Sequence, residues 1–247
     1  MHILGIIPAR YASTRFPAKA LADVAGKPMI ERVYDQAKKA SSLHHVVVAT
    51  DHPYIFETVK KFGGDVCMTD EHHASGTDRC FEALSLQKEK FDYVINIQGD
   101  EPFIQPEQID LLAGVLSGDV EIATLVKRIT DGQVVSNPNI VKVVFSKQGN
   151  ALYFSRSSIP HIRGVEPEQW VNSYTFYKHI GMYAYRTDVL EKLTHLPVSD
   201  LEKAESLEQL RWLENGFTIK VKETKHETIG IDTPDDLVQA LTNYHPQ

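Results

Sequence analysis

Short apolar runs alternate with amphipathic segments through the first half of this 247-residue chain. The run His45–Thr50 is continuous and largely β-branched, which is typical of a strand buried on both faces of a parallel sheet. Strands separated by helical segments of about ten to fifteen residues predict right-handed βαβ units. The pattern therefore predicts an α/β fold, with a doubly wound, mostly parallel central sheet and helices on both faces. Two helices are predicted to begin at Pro28 and, with Asp51 as the cap, at Pro53.

The second half of the chain follows a different pattern. Between residues 121 and 185, predicted strands follow one another with few helices between them, as in antiparallel structure. We predict one domain over residues 1–247, with a smaller antiparallel lobe inserted at about residues 130–185. Further along, Glu202–Asn215 is predicted to be one helix that stops at Gly216.

A cluster of cations follows the first apolar run. The strand is predicted to end at Pro8, and Arg10, Arg15 and Lys19 come after it in a chain of net charge −7. Open α/β sheets bind ligands at the carboxyl ends of their strands, and these cations suit a polyphosphate. The glycine spacings of a dinucleotide fingerprint and of a P-loop are missing. A solvated surface loop that happens to be basic is the alternative.

Two acidic segments are candidates for a metal site. Asp100 follows the fourth predicted strand, which should end at the same sheet edge as the basic loop, and a carboxylate opposite a polyphosphate is a natural Mg²⁺ ligand. An ordinary turn would also explain this segment. Asp232 precedes the last predicted helix, which it could simply cap. The histidines offer no zinc site, since they include adjacent pairs without usable ligand spacing.

The segment Ile7–Arg15, with the sequence Ile-Pro-Ala-Arg-Tyr-Ala-Ser-Thr-Arg, resembles the signature loop of one family of sugar nucleotidyltransferases. This family is the 3-deoxy-manno-octulosonate (Kdo) cytidylyltransferases. Further matching segments, spread over nearly the whole chain, are Tyr153–Arg156, His179–Tyr183, Leu207–Leu210 and Gly230–Pro234. Ala18 and the sequence around Val165–Tyr177 depart from the family's pattern.

The resemblance implies a cytidylyltransferase that activates Kdo for lipopolysaccharide biosynthesis. CTP and Kdo would give CMP-Kdo and diphosphate, by in-line attack of the sugar's anomeric hydroxyl on the α-phosphate. The implied catalytic residues are Arg10, Lys19, Asp100 and Asp232, and the two aspartates would bind Mg²⁺. The implied nucleotide-binding residues are Ala9, Arg10, Ser13, Arg15, Lys19, Ser75, Gly76, Arg79 and Gln98. The implied sugar-binding residues are Arg156, His179, Tyr183, Glu208 and Gln209.

Several of these residues also have ordinary structural explanations. The segment Ser75–Arg79 is expected to contact cytosine, through backbone groups exposed at its glycine and one long donor. A helix N-cap, with Thr77 as the cap and Asp78 in the first turn, accounts for it equally well. Without the resemblance, Glu208 and Gln209 would be a solvated helix face and Tyr183 a core residue.

Composition bears on the partners. The acidic balance disfavours nucleic acid, and the lack of an apolar run of about 18 residues disfavours membrane insertion. Two cysteines, and no room for a signal peptide before the first strand, predict a cytoplasmic protein. The resemblance implies a homodimer. A sialic-acid cytidylyltransferase, a glycosyltransferase and a non-catalytic nucleotide sensor are the alternatives.

Overall fold

The computed structural model describes residues 1–13, 15–227 and 230–242, so that Thr14 of the basic loop lies outside the described residues. The chain forms two compact units. The first unit contains residues 1–113 and the described residues 230–242, and the second contains Gly114–Glu227. Within the described ranges, no helix is both long enough and apolar enough to cross a membrane. The single domain and the lobe at about residues 130–185 stay predictions.

The first unit begins with the predicted alternation of strands and helices. Its strands are β1 (Ile3–Ala9), β2 (Asp23–Val24), β3 (Lys27–Pro28), β4 (His45–Thr50), β5 (Val66–Met68) and β6 (Tyr93–Asn96). Its helices up to residue 113 are α1 (Met29–Ala37), α2 (Pro53–Lys61), α3 (Gly76–Ser85) and α4 (Pro106–Ala113), with a short 3-10 helix at Lys19–Leu21.

Four of these strands form a parallel sheet in the order β6-β1-β4-β5, whereas β2 and β3 form a small antiparallel pair. The sheet is held by apolar side chains of β1 such as Leu4, Ile6 and Ile7, which are fully buried. Because β1 and β6 are parallel, the segments that follow them leave the sheet at the same edge. The predicted α/β class with a mostly parallel sheet is confirmed.

The end of β1 differs from the prediction. The strand continues through Pro8 to Ala9, and its last residues pair with β4. On the side of β1 that faces β6, the carbonyl of Ile6 accepts from the N–H of Ile97. The pairing between β1 and β6 ends at Ile6. Pro8 lies two residues further along and faces the same way as Ile6. Its missing N–H therefore falls beyond the β6 ladder and interrupts no sheet hydrogen bond.

Two predicted helix starts also need correction. Helix α1 begins at Met29, because Pro28 belongs to β3 and serves only as the N-cap residue. Helix α2 begins at Pro53 as predicted, but its cap is His52, whose Nδ1 accepts from the N–H of Tyr54 at 3.2 Å. The carboxylate of Asp51 therefore remains available for other contacts.

The second unit combines antiparallel strands with short helices. Its strands are β7 (Ile122–Arg128), β8 (Lys142–Phe145), β9 (Ala151–Ser155), β10 (Tyr177–Arg186) and β11 (Ile219–Glu223). Its helices are α5 (Gly132–Ser136), α6 (Trp170–Ser173), α7 (Thr187–Thr194), α8 (Asp200–Glu205) and α9 (Glu208–Glu214), with a 3-10 helix at Pro167–Gln169. β10 pairs antiparallel with β7 and β8, β9 pairs antiparallel with β8, and β11 runs parallel to β7.

The prediction of one helix over Glu202–Asn215 is wrong. Ser206 has a left-handed backbone with φ of 51° and ends α8, and α9 begins after the extended Leu207. The carboxylate of Glu205 accepts from the backbone N–H of Arg156 at 2.9 Å. This contact with the segment after β9 anchors the end of α8, and local helical periodicity could not reveal it.

The described part of the chain returns to the first unit at residue 230. Helix α10 (Pro234–Thr242) begins at the predicted proline. Ile231 and Ala240 are buried with Val24 and Met29 in one apolar cluster. This cluster fixes the segment before α10, which carries Asp232, against the rest of the first unit.

Candidate active site

A cavity of about 400 Å³ lies at the carboxyl edge of the parallel sheet in the first unit. It is lined by every residue that the sequence analysis assigned to nucleotide or metal binding. These residues are Ala9, Arg10, Ser13, Arg15, Lys19, Ser75, Gly76, Arg79, Gln98, Asp100 and Asp232. The structure thus brings four separate sequence segments to one cavity, and the binding roles of their residues stay predictions.

An ion cluster lies in this cavity. The Nζ of Lys19 is 2.7 Å from Oδ2 of Asp100 and 3.1 Å from Oδ1 of Asp232, and Nη2 of Arg15 is 3.1 Å from the same Asp232 oxygen. The backbone N–H of Ile231 donates to the carbonyl of Asp100 at 2.9 Å. Because the backbone bond joins the two acidic segments directly, their carboxylates are held beside each other.

The geometry decides against Asp232 as the cap of the last helix. Oγ1 of Thr233 accepts from the N–H of Asp236 at 3.2 Å, and the Asp236 carboxylate accepts in turn from the N–H groups of Asp232 and Thr233. This reciprocal pattern is a capping box with Thr233 as the cap. The carboxylate of Asp232 therefore faces the cations of the cavity.

The backbone before Lys19 is unusual. Ala18 has a left-handed conformation with φ of 53°, which glycine adopts far more easily than alanine. Its N–H donates to the carbonyl of Tyr11 at 3.2 Å, which closes the basic loop, and Lys19 then begins the 3-10 helix. The departure of Ala18 from the family's pattern thus falls at a strained position beside a predicted catalytic residue.

The turn after β6 needs a glycine for a different reason. A Cβ on Gly99 would lie 2.7 Å from the carbonyl oxygen of Pro8, so only glycine lets this turn approach β1. Glu101 follows in a buried position, and burial together with the Asp100 charge raises the pKa of its carboxyl to about 8.

Residues of the segment Ser75–Arg79 also stabilise the first unit. Ser75 caps α3, with its Oγ accepting from the N–H of Asp78 at 3.1 Å, so the cap is Ser75 rather than Thr77. Arg79 is buried, and its guanidinium donates to Asp51 at 2.8 Å and to Thr69 at 2.5 Å. Both side chains line the cavity while holding its wall together.

Two contributors to this wall were missed by the sequence analysis. Asp51 is one: the sequence analysis interpreted it only as a helix cap, although its position directly after a predicted strand also places it at this sheet edge. His73 is the other: its ring lines the cavity and its Nε2 lies within hydrogen-bond distance of the Glu82 carboxylate. Among the described residues, no group of three or more His, Cys, Asp or Glu side chains is arranged to hold a metal ion.

In the second unit, the structure brings His179 and Tyr183 together. A bulge in β10 between Ile180 and Tyr183 inserts two residues, so that His179 and Tyr183 lie opposite Val126 and Thr124, only two positions apart on β7. Their ring centroids are 5.1 Å apart. Nε2 of His179 lies 3.0 Å from Oγ1 of Thr124. Burial lowers the pKa of His179 to about 3 and, with Tyr185 and Glu208 nearby, raises that of Tyr183 well above its ordinary value.

The other predicted sugar-binding residues belong to different segments of the second unit. The guanidinium of Arg156 donates to the carbonyls of Glu205, Ser206 and Pro138, at 2.7, 3.3 and 3.3 Å. Glu208 and the buried Gln209 begin α9. The rings of His179 and Tyr183 are in contact, and Glu208 lies close enough to raise the pKa of Tyr183. The sugar-binding roles stay predictions.

Solved structures with little sequence identity share the fold. One is a 4-diphosphocytidyl-2C-methyl-D-erythritol synthase from Anaerococcus prevotii, with a TM-score of 0.62 and 15% identity. Another is a nucleotidyl transferase from Methanothermobacter thermautotrophicus, with a TM-score of 0.65 and 13% identity. Each match covers 98% of this chain, and 97% and 96% of the respective solved chains. The chain therefore shares its fold with a solved nucleotidyl transferase and a solved synthase.

Closer relatives define the family. The cytidylyltransferase family model matches residues 4–225. The 3-deoxy-manno-octulosonate cytidylyltransferases of Parabacteroides distasonis and Bacteroides thetaiotaomicron are 58% and 57% identical to this chain. These matches cover 98% and 97% of this chain and 97% of each relative. A solved CMP:2-keto-3-deoxy-manno-octonic acid synthetase complexed with CTP has 41% identity and a TM-score of 0.91, over 98% of both chains. The chain belongs to the 3-deoxy-manno-octulosonate cytidylyltransferase family.

Proposed function

We propose that this chain transfers CMP from CTP to Kdo, giving CMP-Kdo and diphosphate for lipopolysaccharide biosynthesis. The observation that carries the proposal is the cavity of the first unit, in which Lys19 contacts both Asp100 and Asp232. Family membership supports the same reaction, since the relatives that match nearly the whole chain bear its name.

The cations of the cavity would neutralise the nucleotide's phosphates. In-line attack of the sugar's anomeric hydroxyl on the α-phosphorus forms the new P–O bond, and the bond to diphosphate breaks. Transfers of this kind depend mainly on positioning and charge neutralisation. Arg10, Arg15 and Lys19 would hold the triphosphate and offset the negative charge that grows on the departing diphosphate.

The acidic residues fit a magnesium ion. Mg²⁺ is usually held by one or two carboxylates together with phosphate oxygens and water, and Asp100 and Asp232 present one oxygen each to the same ammonium. When bound there, magnesium would supply positive charge at the α-phosphate and lower the pKa of the attacking hydroxyl. Asp100 and Asp232 would orient the ion. We assign no side chain as a dedicated base, because the metal would lower the pKa of the hydroxyl.

The sugar would be recognised by residues of the second unit. We assign Arg156, His179, Tyr183, Glu208 and Gln209 to this role, because the family resemblance implies it and polar groups of this kind suit a polyhydroxylated acid. A homodimer in the cytoplasm completes the proposal. Sialic acid is the alternative substrate, and no feature of the described residues favours it.

Diphosphate release from CTP tests the proposed function. Purified protein with Mg²⁺ should release diphosphate with CTP and Kdo, and far more slowly when N-acetylneuraminate replaces Kdo or UTP replaces CTP. Asp100→Asn/Asp232→Asn serves as the inactive control. Diphosphate release with N-acetylneuraminate but not with Kdo would show that the sugar substrate is a sialic acid. CTP binding without any release of diphosphate would indicate a nucleotide sensor instead of an enzyme.

A further inference from the structure

The two carboxylates proposed to bind magnesium already share a cation that the chain itself supplies. The Lys19 ammonium contacts one oxygen of Asp100 and one of Asp232. Its side chain is 16% exposed, against 29% and 47% for the two aspartates. A shared metal would need oxygens from the same two carboxylates, so the ammonium and the metal would compete for them.

The charges of the cluster balance without a metal. Lys19 and Arg15 provide two positive charges, and Asp100 and Asp232 provide two negative charges. A divalent ion added to this arrangement would meet an ammonium in contact with both of its ligands, and like charges at such distances repel. Metal binding to the nucleotide-free protein is therefore opposed as long as Lys19 keeps these two contacts.

The position of Lys19 is built into the fold. The left-handed Ala18 and the 3-10 helix Lys19–Leu21 set the backbone from which the ammonium reaches the aspartates. The side chain of Lys19 is flexible, so it can turn toward another anion without a change of the backbone. The triphosphate of a nucleotide in the same cavity would be such an anion.

We propose that Lys19 is a placeholder cation that holds Asp100 and Asp232 in position and weakens metal binding until a nucleotide arrives. In the nucleotide-free protein the ammonium occupies both carboxylates. A nucleotide's phosphates give it a different partner, which frees the carboxylates for the metal, so that the nucleotide favours metal binding. The role of the nucleotide rests on the proposed function, whereas the competition between Lys19 and the metal does not.

The direct test is Mn²⁺ binding to the nucleotide-free protein, measured by calorimetry and by the electron paramagnetic resonance of free Mn²⁺. Lys19→Met should bind Mn²⁺ at least about tenfold more tightly than the wild type, a difference of about 1.4 kcal/mol. Lys38→Met is the matched control, because it removes the same charge from an exposed position in the first unit and should bind Mn²⁺ as the wild type does.

Two further variants test whether the gain in Mn²⁺ affinity depends on the ion cluster. Lys19→Met/Asp232→Asn should lose the gain, since one of the two carboxylates is neutralised. Lys19→Arg keeps a positive charge at the position and should bind Mn²⁺ about as weakly as the wild type. Without metal, Lys19→Met should unfold at a lower temperature than Lys38→Met, and Mn²⁺ should raise its unfolding temperature more than that of the wild type.

Unchanged or weaker Mn²⁺ binding by Lys19→Met would overturn the placeholder role, and so would an equal gain in Lys38→Met. These measurements involve no nucleotide, no sugar and no turnover. Their failure, with diphosphate release intact, would refute the placeholder alone. Tighter Mn²⁺ binding by Lys19→Met without any diphosphate release by the wild type would support the placeholder and refute the proposed reaction.

Discussion

At the scale of the residue, Asp51 connects several parts of the first unit through one carboxylate. Its Oδ1 accepts from the N–H of Tyr11 at 3.1 Å, and its Oδ2 accepts from Arg79 at 2.8 Å. Arg79 in turn donates to Thr69. The side chains of Arg79 and Asp51 are only 5% and 10% exposed, so water screens neither charge well. The basic loop and helix α3 are thus joined through a buried ion pair.

Asp51→Asn should lower the free energy of unfolding by about 3 kcal/mol, because it leaves Arg79 buried without its counter-ion. Asp200→Asn is the matched control. Asp200 pairs with Lys203 at the surface, with side-chain exposures of 96% and 63%, where the loss should stay below about 1 kcal/mol. Urea unfolding of both variants measures the difference, and equal losses would contradict it.

Ala18 gives a prediction of the opposite sign. Since a left-handed backbone strains alanine but not glycine, Ala18→Gly should raise the free energy of unfolding by about 0.5 kcal/mol or more. Ala22→Gly is the control in the same segment, because Ala22 has φ of −59° and ψ of 139° and gains no relief. It should lose about 0.5–1 kcal/mol through the larger entropy of the unfolded chain. Chemical denaturation of both variants measures whether the free energy of unfolding rises or falls.

At the scale of the element, strand β10 shows what a bulge adds to a regular ladder. Its register with β7 shifts between Ile180 and Tyr183, which shortens the distance along the strand between His179 and Tyr183 and brings their rings into contact. The imidazole of His179 is held between the ring of Phe154 and the hydroxyl of Thr124. Burial in this setting favours the neutral imidazole.

The stability of the protein should consequently fall in mild acid. The pKa of His179 is lowered to about 3, against about 6.5 in an unfolded chain, so the unfolded chain binds an extra proton between these values. Stability contributed by His179 is complete above pH 6.5 and decreases as the pH falls toward 3. Between pH 7 and pH 5 the loss should be about 2 kcal/mol.

Urea unfolding at pH 7 and pH 5 tests this prediction. His179→Gln should remove this part of the pH dependence, whatever its effect on stability at pH 7. His195→Gln, at an exposed position, is the control and should keep the wild-type difference between the two pH values. A wild-type difference retained in full by His179→Gln would assign the acid sensitivity to other groups.

At the scale of the whole molecule, the first unit assembles its ion cluster from positions far apart in the chain. Asp100 and Asp232 are separated by 132 positions (232 − 100), and the bond from Ile231 to the Asp100 carbonyl places them together. Because they would act on one metal, their losses should be strongly non-additive. Asp100→Asn alone should lower the rate of diphosphate release nearly as much as Asp100→Asn/Asp232→Asn does.

The control for this prediction is Asp235→Asn, which removes an exposed carboxylate from the first turn of α10 and should keep most of the activity. Rates of diphosphate release with CTP and Kdo, over a magnesium titration, compare Asp100→Asn, Asp232→Asn, the double variant and Asp235→Asn with the wild type. Full activity of Asp232→Asn at low magnesium would show that the two aspartates do not share a metal.

The sequence by itself was sufficient for the features that depend on local pattern and on matching motifs. The alternation of β-branched runs with helical segments predicted the parallel sheet of the first unit, and sheet topology brought the segments after β1 and β6 to one edge. The motifs selected eleven residues that all line a single cavity. Periodicity and chain order encode these features, because strand direction follows from the connections between strands.

Only the tertiary structure decided what each polar side chain contacts. Arg79 pairs with Asp51, Thr233 rather than Asp232 caps α10, and the contacts of Glu205 end α8 where a longer helix was predicted. Each outcome depends on a partner far away in the sequence or on a choice between adjacent residues that can both cap a helix. Local pattern cannot decide such cases, because a carboxylate or guanidinium binds whichever partner the folded chain brings within hydrogen-bond distance.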